Sequence, residues 1–247
     1  MRTLALLLAL LPLGLGQVRI PGPGGPQPSA IGLAVGTGTS AAASSNVTTL
    51  ATTGTVNAPV GTVVFVQVGF NAACSSRTFN CTDNASTPNT YTAIGALNSQ
   101  SFLCSQVFYS KITTGNATDT VTCNIVGGSG EFMNVAVLPV TGTSATPLDA
   151  GPASAGAVSG GTPASASFTT TTANEVLVAG WIDFYGADTV GVSAPWILGT
   201  GTQSANGSGP SAGIEYKIVS TTQTGITAPF AVTGTGYSNI AVGTFHQ

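Results

Sequence analysis

Gly209, Pro210, Ser211, Ala212 and Gly213 spell G-x-S-x-G, and Glu215 and His246 follow in the order that a serine hydrolase of the α/β type uses. Such an elbow needs a strand before the serine and a helix after it, so that the hydroxyl stands clear of the sheet. Here residues 204–209 (SANGSG) are turn-rich, and the chain from 214 onward reads as a strand. His246, the single histidine, lies one residue from the C-terminal end. The motif is expected to be an ordinary loop, and no catalytic residue is assigned.

Carboxylates offer a second route to chemistry, because glycoside cleavage needs two of them flanking one cleft. The candidates are Asp83, Asp119, Glu131, Asp149, Glu175, Asp183, Asp188 and Glu215. Most fall at the ends of expected strands, where acids satisfy turn amides, and Glu215 can pair with Lys217 on its own strand face. Asp183, Tyr185 and Asp188, in the run DFYGAD, form the one compact acidic and aromatic loop, and they are the candidate ligand loop for Ca²⁺ or sugar. Calcium takes six to eight oxygen ligands, most of which are not identifiable here, so no cofactor is assigned beyond that candidate. Trp181, Trp196, Tyr185 and Tyr237 could stack on a pyranose ring. Trp181 sits inside a strongly apolar run and reads as core.

The cysteines are Cys74, Cys81, Cys104 and Cys123. The gap between the first two exceeds the usual zinc-ligand spacing and no His lies near, so a metal site is not expected. Two disulfides are. The favoured pairing closes a loop with Cys74–Cys81 and ties neighbouring strands with Cys104–Cys123, while the crossing pairings stay open.

Disulfides imply an oxidising compartment, and the N-terminus agrees. Arg2, an apolar run over residues 4–15 and small residues at 14 and 16 read as a signal peptide over residues 1–16, too short to span a membrane. Residues 17–44 form a Pro-, Gly- and Ser-rich arm that contains an apolar patch at 31–35, and residues 45–247 a single domain. Only 5% of the 247 residues are charged, with net charge −3, which leaves no electrostatic footprint for nucleic acid or an anionic membrane. The protein is expected to be secreted or held at a cell surface, with no membrane span in the mature chain. Asn46, Asn80, Asn84, Asn116 and Asn206 are sequons for surface glycosylation.

The elements that must position these residues are strands. Residues 62–70 (TVVFVQVGF) place Val64, Val66, Val68 and Phe70 on one face and Val63 and Phe65 on the other, as a central strand covered on both faces would. Further strands are expected at 47–53, 91–94, 106–112, 120–126, 132–140, 166–171, 175–183, 214–220, 229–232 and 239–245, most bounded by Gly, Pro, Asn or Asp. No helical period appears. The fold class is all-β, an antiparallel β-sandwich of jelly-roll or immunoglobulin-like type.

The succession APVGTVVFVQVGF (58–70), NTYTA (89–93), VFYSK (107–111), DTVTC (119–123), PLD (147–149), ANEVLV (173–178), EYK (215–217) and IAVGTF (240–245) resembles a family of uncharacterised secreted bacterial β-sandwich domains. The resemblance covers residues 45–245 and departs from the pattern at the insertion around Cys74 and Cys81. It implies an extracytoplasmic surface role and carries over no catalytic residue. The leading expectation is an exported structural or adhesive surface protein, whose arm either docks on its own domain or adds as a strand to the sheet edge of a neighbour and so self-associates. The alternative is an extracellular carbohydrate-binding module.

Overall fold

A computed structural model describes residues 32–100, 102–159, 164–184, 190–205, 209–232 and 237–247. Residues 1–16, where a signal peptide is expected, most of the arm, Tyr185, Asp188 and Asn206 lie outside the described residues. The strands are β1 (Ala34–Val35), β2 (Thr39–Ala42), β3 (Thr49–Ala51), β4 (Val56–Ala58), β5 (Val63–Phe70), β6 (Thr78–Asp83), β7 (Thr92–Ser99), β8 (Cys104–Lys111), β9 (Asn116–Asp119), β10 (Val121–Val126) and β11 (Met133–Thr141). There follow β12 (Leu148–Ser159), β13 (Glu175–Asp183), β14 (Val190–Val192), β15 (Ile197–Leu198), β16 (Ser204–Ala205), β17 (Ser211–Val219), β18 (Phe230–Val232) and β19 (Tyr237–His246). Among the described residues there is no helix, hence none long and apolar enough to cross a membrane.

Two large antiparallel sheets stack face to face. One runs β1-β11-β5-β8-β7 with β2 also on β11, and the other β12-β19-β13-β17-β15 with β16 also on β17. As the alternation in residues 62–70 predicts, β5 is buried on both faces. Val63 and Phe65 meet Val176, Val178, Ile214 and Phe245 between the large sheets. On its other face, Val64, Val66, Val68 and Phe70 pack on Phe79, Val121, Cys123 and Ile125 of an outer three-stranded sheet, β3-β10-β6. The second large sheet is covered differently. Its outer face, with Leu177, Ala179, Trp181, Ile240 and Val242, is closed by Phe168, Trp196, Ala228 and Phe230, beside the two-stranded ribbon β14-β18. The antiparallel β-sandwich thus has an outer layer on each side.

Several expectations need correction. The disulfides are Cys74–Cys104 and Cys81–Cys123, one of the crossing pairings and not Cys74–Cys81 with Cys104–Cys123. The reason is that residues 78–83 form a strand where a closed loop was expected. Its register on β10 sets Cys81 directly opposite Cys123, with Cα atoms 4.1 Å apart, a separation a disulfide can bridge. Residues 166–171 do not form a ladder but only the bridge Phe168 to Ile226. Of the two fates open to it, the apolar patch of the arm takes the first and docks on its own chain. Ala34 and Val35 pair with Thr141 and Val140, while Leu33 and Val35 are buried, so the sheet begins at residue 34.

Candidate functional site

The residues of the G-x-S-x-G motif and their would-be partners are spread along one sheet. Ser211 opens β17 opposite Asp183, whereas His246 closes β19 opposite Glu175, which in turn faces Val219. Ser211 and Val219 are eight residues apart on one strand, about 26 Å at the rise of an extended chain. A triad of Ser211, Glu215 and His246 therefore cannot assemble. Ser211→Ala, Glu215→Gln and removal of His246 are each expected to leave hydrolysis of a chromogenic ester unchanged; a large loss in all three would show that they act together after all.

The carboxylates have gone inside. Asp83, Asp119, Asp149, Glu175, Asp183 and Glu215 are all buried, and Glu131 is ion-paired with Arg77, whose guanidinium also lies 4.5 Å over the Phe70 ring. Asp83 ends β6 and accepts hydrogen bonds from the Asn89 amide nitrogen (3.0 Å) and side chain (2.8 Å). Asn89 in turn accepts from the backbone amides of Thr113 and Thr114, so one buried side chain fastens two turns together. Neither oxygen of Asp119 accepts a hydrogen bond of good geometry. Burial and then the charge of Asp83 push its pKa up to about 6, against the pull of the nearby Asn84 and Thr120 amides. Burial, followed by the charges of Asp83 and Asp119, also raises the Tyr91 phenol.

At the start of β13, Glu175 accepts from the Thr172 hydroxyl and contacts Asp149, itself bonded by the Thr171 amide at 2.6 Å. Burial, then the hydrogen bond with Asp149, raises Glu175 to about 7. Glu215, in the middle of β17, has no hydrogen-bond partner for either oxygen, and burial alone lifts it to about 8. The expected pair with Lys217 does not form, because the Glu215 carboxyl is sealed in the outer core of its sheet while Lys217 is only half-buried. These are interior groups, closed to a sugar or a peptide.

One end of the sandwich does present rings to solvent. Phe102, in the turn closed by the Gln100 amide to the Leu103 carbonyl, is 48% exposed. It stands 5.5 Å from the Phe184 ring and 5.4 Å from that of Tyr237. Leu103, Ile182 and Ala212 form the floor, and the Phe184 amide donates to the Tyr237 carbonyl at 2.9 Å. Of the candidate ligand loop, Asp183 lies beneath this cluster, fully buried and bonded by the Ser238 hydroxyl at 2.6 Å, so its role is to fasten β13 to β19. Tyr185 and Asp188 continue from Phe184 outside the described residues. The four-ring platform is corrected in turn: Trp181 and Trp196 are buried, with Trp181 5.1 Å from Phe230. Tyr237 alone of the described platform residues reaches the surface, and its neighbours Phe102 and Phe184 escaped sequence reasoning. Phe184 directly precedes Tyr185, and that adjacency was the available signal.

No group of three or more His, Cys, Asp or Glu that could hold a metal occurs among the described residues. Shallow depressions of about 560 Å³ beside Val47 and Gly130, and about 350 Å³ beside Val35 and Pro139, hold neither rings nor carboxylates. Sequons Asn46, Asn80 and Asn84 are exposed and Asn116 half-buried, all on the first half of the chain. Compared with protein-family models, curated proteins and solved structures, the chain matches none.

Proposed function

We propose that this is an exported, non-catalytic surface protein that works by contact, and that the Phe102, Phe184 and Tyr237 cluster is its contact point. The observation that carries this reading is the ring cluster led by the exposed Phe102 on a surface otherwise nearly free of charge, six of the eight acids being buried and a seventh ion-paired. A surface of Thr, Ser, Gly and Asn resists association weakly, and an apolar patch on it gives adhesion a place to act. Two disulfides, one between neighbouring strands and one tying the loop after β5 to the start of β8, suit export. The same rings favour a second reading, a carbohydrate-binding module, since a ring face matches the apolar face of a pyranose and the Tyr237 hydroxyl supplies a polar edge.

The test uses Phe102→Ala together with Tyr237→Ala. Retention of the mature protein on a panel of immobilised glycans and on apolar and polar surfaces is expected to fall at least about tenfold for the double variant, because stacked rings dominate such contacts. Loss on glycans alone selects the carbohydrate module, and loss on general surfaces the adhesive protein. Unchanged retention everywhere removes the ring cluster from the function.

A further inference from the structure

The two large sheets have one and the same plan. In the first, the opening strand β1/β2 pairs with the last strand β11, β11 with β5, β5 with β8, and β8 with the edge strand β7. In the second the corresponding order is β12, β19, β13, β17 and then β15 with β16. The registers agree without a slip when residues 63–70, 104–111 and 133–141 are laid on 176–183, 211–218 and 238–246. Val63 faces Lys111 and Val140, and its counterpart Val176 faces Ile218 and Phe245. Phe70 faces Cys104 and Met133, and Asp183 faces Ser211 and Ser238.

The irregularities repeat as well. Pairing of β7 with β8 breaks between Ile94 and Asn98, and the matching edge is broken into β15 and β16. The first strand of each sheet is also interrupted, between β1 and β2 in one and by the register shift after Leu148 in the other. Identical residues fall at matched places: Tyr109 and Tyr216, Asn134 and Asn239, Ala136 and Ala241, Val137 and Val242.

Contacts between the halves obey the symmetry that such a pair of copies would have. Across a two-fold axis a residue on the axis meets its own counterpart, and off the axis each contact occurs twice. Gln67 packs on Gly180, its counterpart, where an added Cβ would meet the Gln67 Cβ at 2.9 Å. Ile182 packs on Gly69, its counterpart, where an added Cβ would meet Cδ1 at 2.6 Å. Off the axis, the Ser204 hydroxyl donates to Asn134 at 3.2 Å, and Asn239 donates to the Asn98 carbonyl at 3.4 Å. By register, Asn98 and Ser204 occupy the same place in the two copies, as do Asn134 and Asn239.

We infer that residues 34–141 and 148–246 are two copies of one unit joined in tandem about a pseudo-two-fold axis that runs between β5 and β13, and that their shared face is a homodimer interface carried within one chain. The partner each half fits is a second copy of that unit. Both disulfides lie inside the first copy, so no disulfide joins the halves, which meet through packing and hydrogen bonds. The copies have since diverged on their outer faces. Phe70 and Phe108 correspond to Asp183 and Glu215, and Val68 to Trp181, so two buried carboxyls of the second copy stand where the first has phenylalanines. The ring cluster is matched at one place only: Phe132 stands where Tyr237 does, but Asn71 stands where Phe184 does and Gly209 where Phe102 does. This inference does not rest on the proposed function.

The test exploits the self-facing pairs. Gly180→Gln alone sets two glutamines against each other and is expected to lower the thermal midpoint by about 10 °C, as overpacking of a core does. The exchange Gln67→Gly with Gly180→Gln regenerates the same contact with the copies reversed and is expected to restore most of that loss. An exchange no better than the single change overturns the inference. Should neither variant fold, an experimental structure of the wild-type chain decides: superposing 63–70, 104–111 and 133–141 on their counterparts must require a rotation close to a half-turn, and a rotation far from it overturns the inference equally.

Discussion

Thermal unfolding is expected to be most resistant near pH 4 and to lose about 10 °C in midpoint by pH 8.5, the reverse of what paired surface carboxylates produce. Asp119, Glu175 and Glu215 have folded-state pKa values of about 6, 7 and 8, each above the value of the unfolded chain. Their protonated forms are favoured by folding. The stability they contribute is complete below about pH 4, where the unfolded carboxyls are also protonated, and is lost as pH rises through 6 to 8. The groups around them do not offset this. Asp119 faces Asp83 and Tyr91, Glu175 faces Asp149 across from His246, and Glu215 is flanked in register by Ala179 and Leu198. Scanning calorimetry at several pH values checks the profile. A midpoint that is flat or rises between pH 4 and 8 would contradict it. Glu215→Met, similar in volume and without a charge to desolvate, is expected to raise the midpoint at pH 8.5 while changing it little at pH 4.

The second large effect is expected from the disulfides. Cys81–Cys123 spans 42 residues of sequence and Cys74–Cys104 spans 30, and for loops of this size chain entropy assigns about 4 kcal/mol to each. Cys81→Ala with Cys123→Ala is therefore expected to lower the midpoint by roughly 10 °C, in a chain of this size. The effect should be local: the bridge ties β6 to β10 in the outer layer of the first copy, so amides of that layer should lose exchange protection before those of β13. Peptide mapping without reduction checks the pairing directly. Recovery of a Cys74–Cys81 peptide would overturn it, and uniform loss of protection across both sheets would contradict the local assignment.

Most central strands were legible because their side chains alternate within covered runs: residues 62–70, 132–140 and 175–183 correspond to β5, β11 and β13. Strand β12 was not. Its residues are nearly all Gly, Ala, Ser and Pro, and a run of small side chains has no apolar periodicity to read, although its backbone pairs along β19. The duplication was within reach of the sequence, in NVAVLPV against NIAVGTF, but only five of the 25 matched positions have kept identity, so the shared register rather than the letters makes it plain.

The candidate site divides the same way. Residue types alone set the fold class, a chain with few charges, cysteines for disulfides and strands throughout, because composition and alternation are local properties. Which cysteine meets which, which acids are sealed inside and which rings stand together depend on register between segments far apart in the chain. Phe102 and Tyr237 are separated by more than half of the chain and become neighbours only when the two sheets stack face to face in step. A one-residue slip would have turned each of those side chains to the opposite face, and no run of sequence carries that information by itself.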